Sequence, residues 1–164
     1  MSRTILMGGA IVVLAGMAHG QPPRDRTRPT GPEHISAAQL RQAIADARPW
    51  PEDPTIRYKR LGSRGTDSYW ILLREGTGKA EQHDAWNDIF IVQDGSATVL
   101  YGGQLHGGRQ TSPGETLGGE IVNGERRLIG RDDVLILPAG TPHQFLIDRG
   151  GSITYVTIKT PPMK

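Results

Sequence analysis

Two short stretches of this chain carry side chains that can hold a metal ion or move a proton. The first reads Glu81-Gln82-His83-Asp84, with Asp88 shortly after it. The second runs from Gly130 to His143 as Gly-Arg-Asp-Asp-Val-Leu-Ile-Leu-Pro-Ala-Gly-Thr-Pro-His. Residues i and i+2 of a strand share a face, so Glu81 and His83 can look the same way. Two imidazoles and two carboxylates around one point would suit a borderline divalent ion with open positions: Fe(II), Mn(II), Zn(II) or Ni(II). A soft thiolate site is excluded, because the chain has no cysteine. Asp84 is the alternative carboxylate if the spacing is counted differently. In a purely structural role, His143 would be hydrogen-bonded inside the mouth of a barrel, and Glu81 and Asp88 would face water. His106, set among Gly102, Gly103, Gly107 and Gly108, reads as a mobile loop residue.

The elements that must position these groups are short strands. Val134 to Leu137 reads as a buried strand, Pro138 breaks its ladder, and Gly140 and Pro142 shape a tight turn that delivers His143 to the next strand. Segments rich in Ile, Val, Leu and aromatics recur from Ile56 onward, at 69–73, 88–93, 97–101, 127–129, 134–137, 144–147 and 153–158. Asp94-Gly95 predicts a hairpin turn between two of them. The spacing, with 22 glycines and 12 prolines to make turns, predicts an all-β antiparallel sandwich or barrel. The Gly-rich passage 102–124 reads as the long connection between two halves. It is no phosphate loop, because no Gly-Lys-Ser/Thr follows. Tyr69, Trp70 and Phe90 are read as core, with one of them able to line a cavity.

Ahead of the strands, Ser36 is a candidate N-cap with Gln39 three residues on, and Ile35 and Leu40 are placed to form a hydrophobic staple. One short helix is therefore predicted over 37–47. Its stripe is Leu40, Ile44 and Ala47, Pro49 stops it, and it packs outside the barrel or on a second subunit of a homodimer. Residues 1–20 read as a signal peptide: Arg3, an apolar core from Ile5 to Ala15, and Ala18-x-Gly20 before a cleavage at Gln21. An uncleaved anchor is the alternative, but the segment is shorter than the ~20 apolar residues a span prefers, so no stable membrane span is expected after processing. Residues 21–32 form a Pro/Arg-rich linker, and 33–164 the folded domain, with the barrel at about 56–159. This pattern places the mature domain in the periplasm or outside the cell, with stability supplied by its core rather than by disulfides. A formal charge of +2, with no basic block interleaved with aromatics, excludes nucleic acid as the expected partner.

The order Gly130, Pro138-x-Gly140, x-x-His143 resembles the second sequence motif of the cupin superfamily. The first motif of that family matches more loosely, as Gly76-x4-Glu81-x-His83-x4-Asp88-x6-Gly95. Glu81 stands where the family has its first histidine, His83 at the second, and Asp88 at the glutamate. Both replacements keep an oxygen donor. Glu-x-His, Asp88-Ile-Phe-x-Val, Gly102-Gly103 and Pro-Ala-Gly-Thr-Pro-His-Gln-Phe are similar to a group of small exported bacterial single-domain cupins. The resemblance spans roughly Ile56 to Lys159. It implies a jelly-roll β-barrel with Glu81, His83, Asp88 and His143 around a divalent metal.

A cupin fold hosts dioxygenases, isomerases, decarboxylases, binding modules and storage proteins, so fold alone chooses no reaction. Three functions stay open at this stage. The barrel is a metal-dependent enzyme on a small polar or aromatic substrate, a non-catalytic module of the cell envelope that captures a small molecule, or a metal-free structural barrel. Four potential ligands converging on one spot would favour the first two.

Overall fold

A single 15-residue strand, Asn87–Tyr101, ties the two halves of the molecule together. The computed structural model describes residues 33–162; the signal peptide and linker read at 1–32 lie outside the described residues. Helix α1 (Ala37–Ala45) is followed by β1 (Arg48–Trp50), β2 (Asp53–Arg64), β3 (Asp67–Arg74), β4 (Glu81–His83), β5 (Asn87–Tyr101), β6 (Gln104–His106) and β7 (Arg109–Ser112). Then come β8 (Glu115–Leu117), β9 (Glu120–Val122), β10 (Glu125–Gly130), β11 (Val134–Leu137), β12 (His143–Leu146) and β13 (Ile153–Thr160). The main sheet runs β1-β2-β3-β13-β5-β12-β4-β8-β7, with β10 and β11 also on β5. It is antiparallel and curls on itself, as the all-β jelly-roll reading with one short helix requires.

The curl depends on β5, whose two halves have different neighbours. Residues 87–95 pair with β13 and, in part, β11; residues 96–101 pair with β10 and β12. Asp94-Gly95 is therefore not a hairpin turn. Thr154 faces Asp94 while Tyr155 faces Val92, so Gln93 is an extra residue and the strand bulges there. Gly95 sits at φ +73°, and a Cβ on it would fall 2.0 Å from the Ser152 carbonyl oxygen. With that side occupied, the chain bends from one half of the sheet into the other rather than reversing.

Three further expectations change. The apolar run at 134–137 is only half inward: Val134 and Ile136 are 58% and 62% exposed, because alternate residues of an edge strand face opposite ways. The passage 102–124 is not a bare connection but carries β6 to β9, and His106 is an exposed residue of β6 paired with β9. The helix ends at Ala45 rather than at 47, and Pro49 lies within β1. Arg57 donates to the Ala47 carbonyl at 3.0 Å, drawing the chain off the helix and onto β2. Its start is as expected: Ser36 and Gln39 form a reciprocal capping box. Helix α1 packs on β2 and β3.

Between the two halves lies the core, in which Phe90, Val92, Val99, Phe145, Ile153 and Tyr155 are buried. Phe145 and Tyr155 stack at 4.9 Å, and Phe90 meets both edge-on. Phe90 also touches the ring of His143. The apolar floor of the barrel is therefore the surface on which its histidine end rests.

Candidate metal centre

Strand register brings the candidate residues together. Glu81 lies directly opposite His143 across the β4–β12 pair, and His83 opposite Glu115 across the β4–β8 pair. The turn before His143 is tied to the same strand. Gly140, at φ +79°, donates its N–H to the His83 carbonyl at 2.8 Å, and Ala139 donates to the Asn87 side-chain oxygen at 2.9 Å. Cross-strand partners share a face, so Glu81, His83 and His143 all point inward.

The inward atoms converge. His83 Nε2 is 3.6 Å from Glu81 Oε2, and His143 Nε2 is 3.5 Å from Glu81 Oε1. One ligand atom from each of the three residues lies within 4.8 Å of the others. Two donors about 2.1 Å from a shared ion, at angles of 90–110°, stand about 3.0–3.4 Å apart; the two nitrogen–oxygen separations lie just above that range, and the donor types suit a divalent metal.

Both imidazoles are held from behind. The Nδ1 of His143 faces the Thr141 carbonyl at 3.1 Å, and a carbonyl can only accept. The Nδ1 of His83 bonds the Glu115 carboxylate. In each ring the outer nitrogen is thus a donor, so the nitrogen turned inward, Nε2, is the one whose lone pair is offered to a metal when the ring is neutral. Burial opposes a charge on His83, but its bonds to Glu115 and Glu81 outweigh that and raise its pKa to about 9.

Beneath Glu81 lies Arg74 of β3, 3% exposed, which donates to Glu81 Oε1 and to the Tyr155 hydroxyl, each at 2.7 Å. Its guanidinium also sits over the Phe145 ring at 4.8 Å. Burial disfavours a charged Glu81. The Arg74 cation nevertheless holds the carboxyl well below the usual range. Burial pushes the Tyr155 hydroxyl up to about 12, so it serves as a neutral hydrogen-bonding group.

Asp88 stands beside this trio rather than within it. Its Oδ1 accepts from Lys159 at 2.6 Å, and its Oδ2 is 3.8 Å from His83 Nε2. Asp84 is elsewhere, exposed in a turn and bonded to Gln82. Arg74, Glu115 and Lys159 escaped sequence reasoning. Lys159 alone had a legible cue, since it continues the inward alternation Ile153, Tyr155, Thr157 of its strand.

The trio opens into a cavity of about 360 Å³. Trp50, Trp70 and Trp86, all the tryptophans of the chain, line it together with Tyr58, Phe90 and Thr157. Trp70 and Phe90 thus wall the cavity, whereas Tyr69 faces a separate groove beside α1.

No protein-family model and no curated protein sequence matches the chain. Solved structures do match. FeII HppE aligns with a TM-score of 0.51 at 14% identity, over 70% of this chain and 55% of that one. The cupin domain of Cnp3 from Schizosaccharomyces pombe aligns at 0.50 and 9%, over 66% of each chain. A cupin-2 domain protein of Rhodospirillum rubrum aligns at 0.50 and 11%, over 72% of this chain and 69% of that one. This chain therefore spans little more than half of HppE and about two-thirds of the other two. At such identities the likeness concerns architecture alone, and that architecture is the cupin fold.

Proposed function

We propose that this protein binds one divalent metal ion through Glu81, His83 and His143 and uses it to engage a small molecule in the adjoining cavity. The observation that carries the reading is the convergence of two imidazole Nε2 atoms on the two oxygens of one carboxylate, at 3.5 and 3.6 Å, with both Nδ1 atoms tied from outside. Held ligands of this kind bind an ion with less ordering cost than free ones.

A bound divalent ion would supply Lewis-acid polarisation of a ligand oxygen at its open positions. The protein's own residues do the positioning. Arg74 keeps Glu81 ionised and fixed, Glu115 and the Thr141 carbonyl orient the two rings, and Phe90 packs against His143 from the core. Asp88, paired with Lys159, stands next to His83 outside these three ligand positions. The aromatic walls exclude water from one side of the ligand. On the N-terminal sequence pattern alone, we place this activity after export.

The test is metal content. Untagged protein, loaded separately with Fe, Mn, Zn or Ni and desalted, should retain close to one ion per chain by mass spectrometry. His143→Ala should retain none while keeping its far-UV circular dichroism. A parent protein that holds no stoichiometric metal after any of the four loadings would overturn the reading.

A further inference from the structure

Strand β13 sends a row of side chains into the cavity, and the middle one is uncommitted. The Tyr155 hydroxyl accepts from Arg74, and the Lys159 ammonium donates to Asp88. Between them Thr157 is 4% exposed and lines the same cavity, yet its Oγ1 has no hydrogen-bond partner among the described residues. A buried hydroxyl without a partner is costly, and the cavity that Thr157 lines is where a ligand would supply one. Its cross-strand neighbours are Trp70 on β3 and Phe90 on β5, both also on the cavity wall. The hydroxyl thus sits between two aromatic surfaces.

We propose that Thr157 anchors the cavity's ligand, and that the ligand is a small neutral molecule with a planar ring bearing one oxygen. The ring follows from the walls: Trp50, Tyr58 and Trp70 form a run of touching aromatics with centroids 4.5 and 6.0 Å apart, and Phe90 stands opposite Thr157. Neutrality follows from the charges. Of the cations on the wall, Arg74 and Lys159 are each bound to a carboxylate and Lys79 to the Glu52 carbonyl, on a wall that also carries five carboxylates, which leaves an anionic ligand poorly matched. Cationic ligands gain little as well, since the wall carboxylates Glu81, Asp88 and Glu115 are already paired with Arg74, Lys159 and His83. This inference deepens the small-molecule role proposed above, but it does not require the metal.

Because every tryptophan lines the cavity, intrinsic fluorescence reports its occupancy. Phenol and toluene have the same shape and differ by a hydroxyl, so they serve as probes on the full chain. Both should change the emission saturably. The ratio of phenol to toluene affinity should fall about tenfold in Thr157→Val and stay near the parent value in Thr157→Ser, as expected for one buried hydrogen bond. An unchanged ratio in Thr157→Val, no saturable effect of phenol on the parent, or benzoate binding more tightly than phenol would each overturn the proposal. If Thr157→Val does not fold, the same tenfold difference is sought between Thr157→Ser and Thr157→Ala, and equal ratios overturn it. Metal content is measured on the same samples. Absent metal with a falling ratio sinks the metal reading alone, and stoichiometric metal with an unchanged ratio sinks this one alone.

Discussion

Lys159 Nζ lies 2.6 Å from Asp88 Oδ1, and the two residues are direct cross-strand partners on β13 and β5. Asp88 is thereby held beside the Glu81–His83–His143 trio instead of completing it. Its side chain is only 3% exposed, so removing the cation strands a buried carboxylate. Lys159→Met should destabilise the metal-free protein by about 3 kcal/mol, and Asp88→Asn/Lys159→Met should restore most of that loss. Zinc should narrow the deficit of the single variant, because the freed carboxylate then has an ion within reach of His83. Thermal melts of the three proteins with and without zinc check this; a deficit that zinc leaves untouched would place Asp88 outside the metal's influence.

The His83 bond to Glu115 gives the metal-free protein a defined pH response. The folded pKa of His83 is about 9, against an ordinary value of 6.5. A raised pKa contributes stability that is fully present below about 6.5 and is lost as pH rises through about 9. The loss should be on the order of 2 kcal/mol once solvent screening of the partly exposed Glu115 is allowed for. Metal binding needs the neutral imidazole, so apparent affinity should move the opposite way and rise over the same interval. Glu115→Gln should flatten both trends. Melting temperature and zinc affinity measured from pH 6 to 9.5 decide it, and parallel trends in the parent would contradict the linkage.

Arg74 bridges Glu81 and Tyr155 inside the barrel, so its removal should cost more than a surface charge would. Arg74→Met leaves the half-buried Glu81 carboxylate and the Tyr155 hydroxyl without their donor and should destabilise by about 3 kcal/mol in urea titrations. Arg74→Lys should recover only part of this, since one ammonium cannot reproduce the bonds to Glu81 and Tyr155 together with the planar contact over Phe145. Equal stability of the Lys variant and the parent would show that charge alone matters there.

What could be read from the sequence was local. Glu81-x-His83 declares a shared face through strand periodicity, and Pro138-x-Gly140-x-x-His143 declares a turn feeding an inward residue. Their meeting depends on β12 lying against β4, which no local signal encodes. The same holds for Glu115 and Lys159: each acts because pairing register places it opposite His83 or Asp88. Glu115 was hidden further, inside a Gly-rich stretch whose strands are three or four residues long. At 134–137 the four apolar residues gave no alternation to read, so their two exposed members could not be told from their two inward ones. Asp94-Gly95 has the chemistry of a hairpin turn, yet it was overridden by tertiary structure.

That override makes its own prediction, because two glycines with similar backbone angles sit in opposite surroundings. Gly95 has φ +73° and Gly140 has φ +79°. A Cβ at position 140 meets nothing within 4 Å, whereas one at position 95 would overlap the Ser152 carbonyl. Gly140→Ala should therefore carry only the left-handed conformational cost of about 1–2 kcal/mol. Gly95→Ala should carry that cost plus displacement of the β13 lead-in, where Ser96 N–H bonds Ser152 O at 3.1 Å. A total above about 3 kcal/mol is expected, with strain and a lost ladder bond adding to the conformational cost. Side-by-side denaturation curves test the order. If the two alanine variants lose equal stability, β5 is free to move away from Ser152, and the bulge is not what holds the two halves of the sheet at their angle.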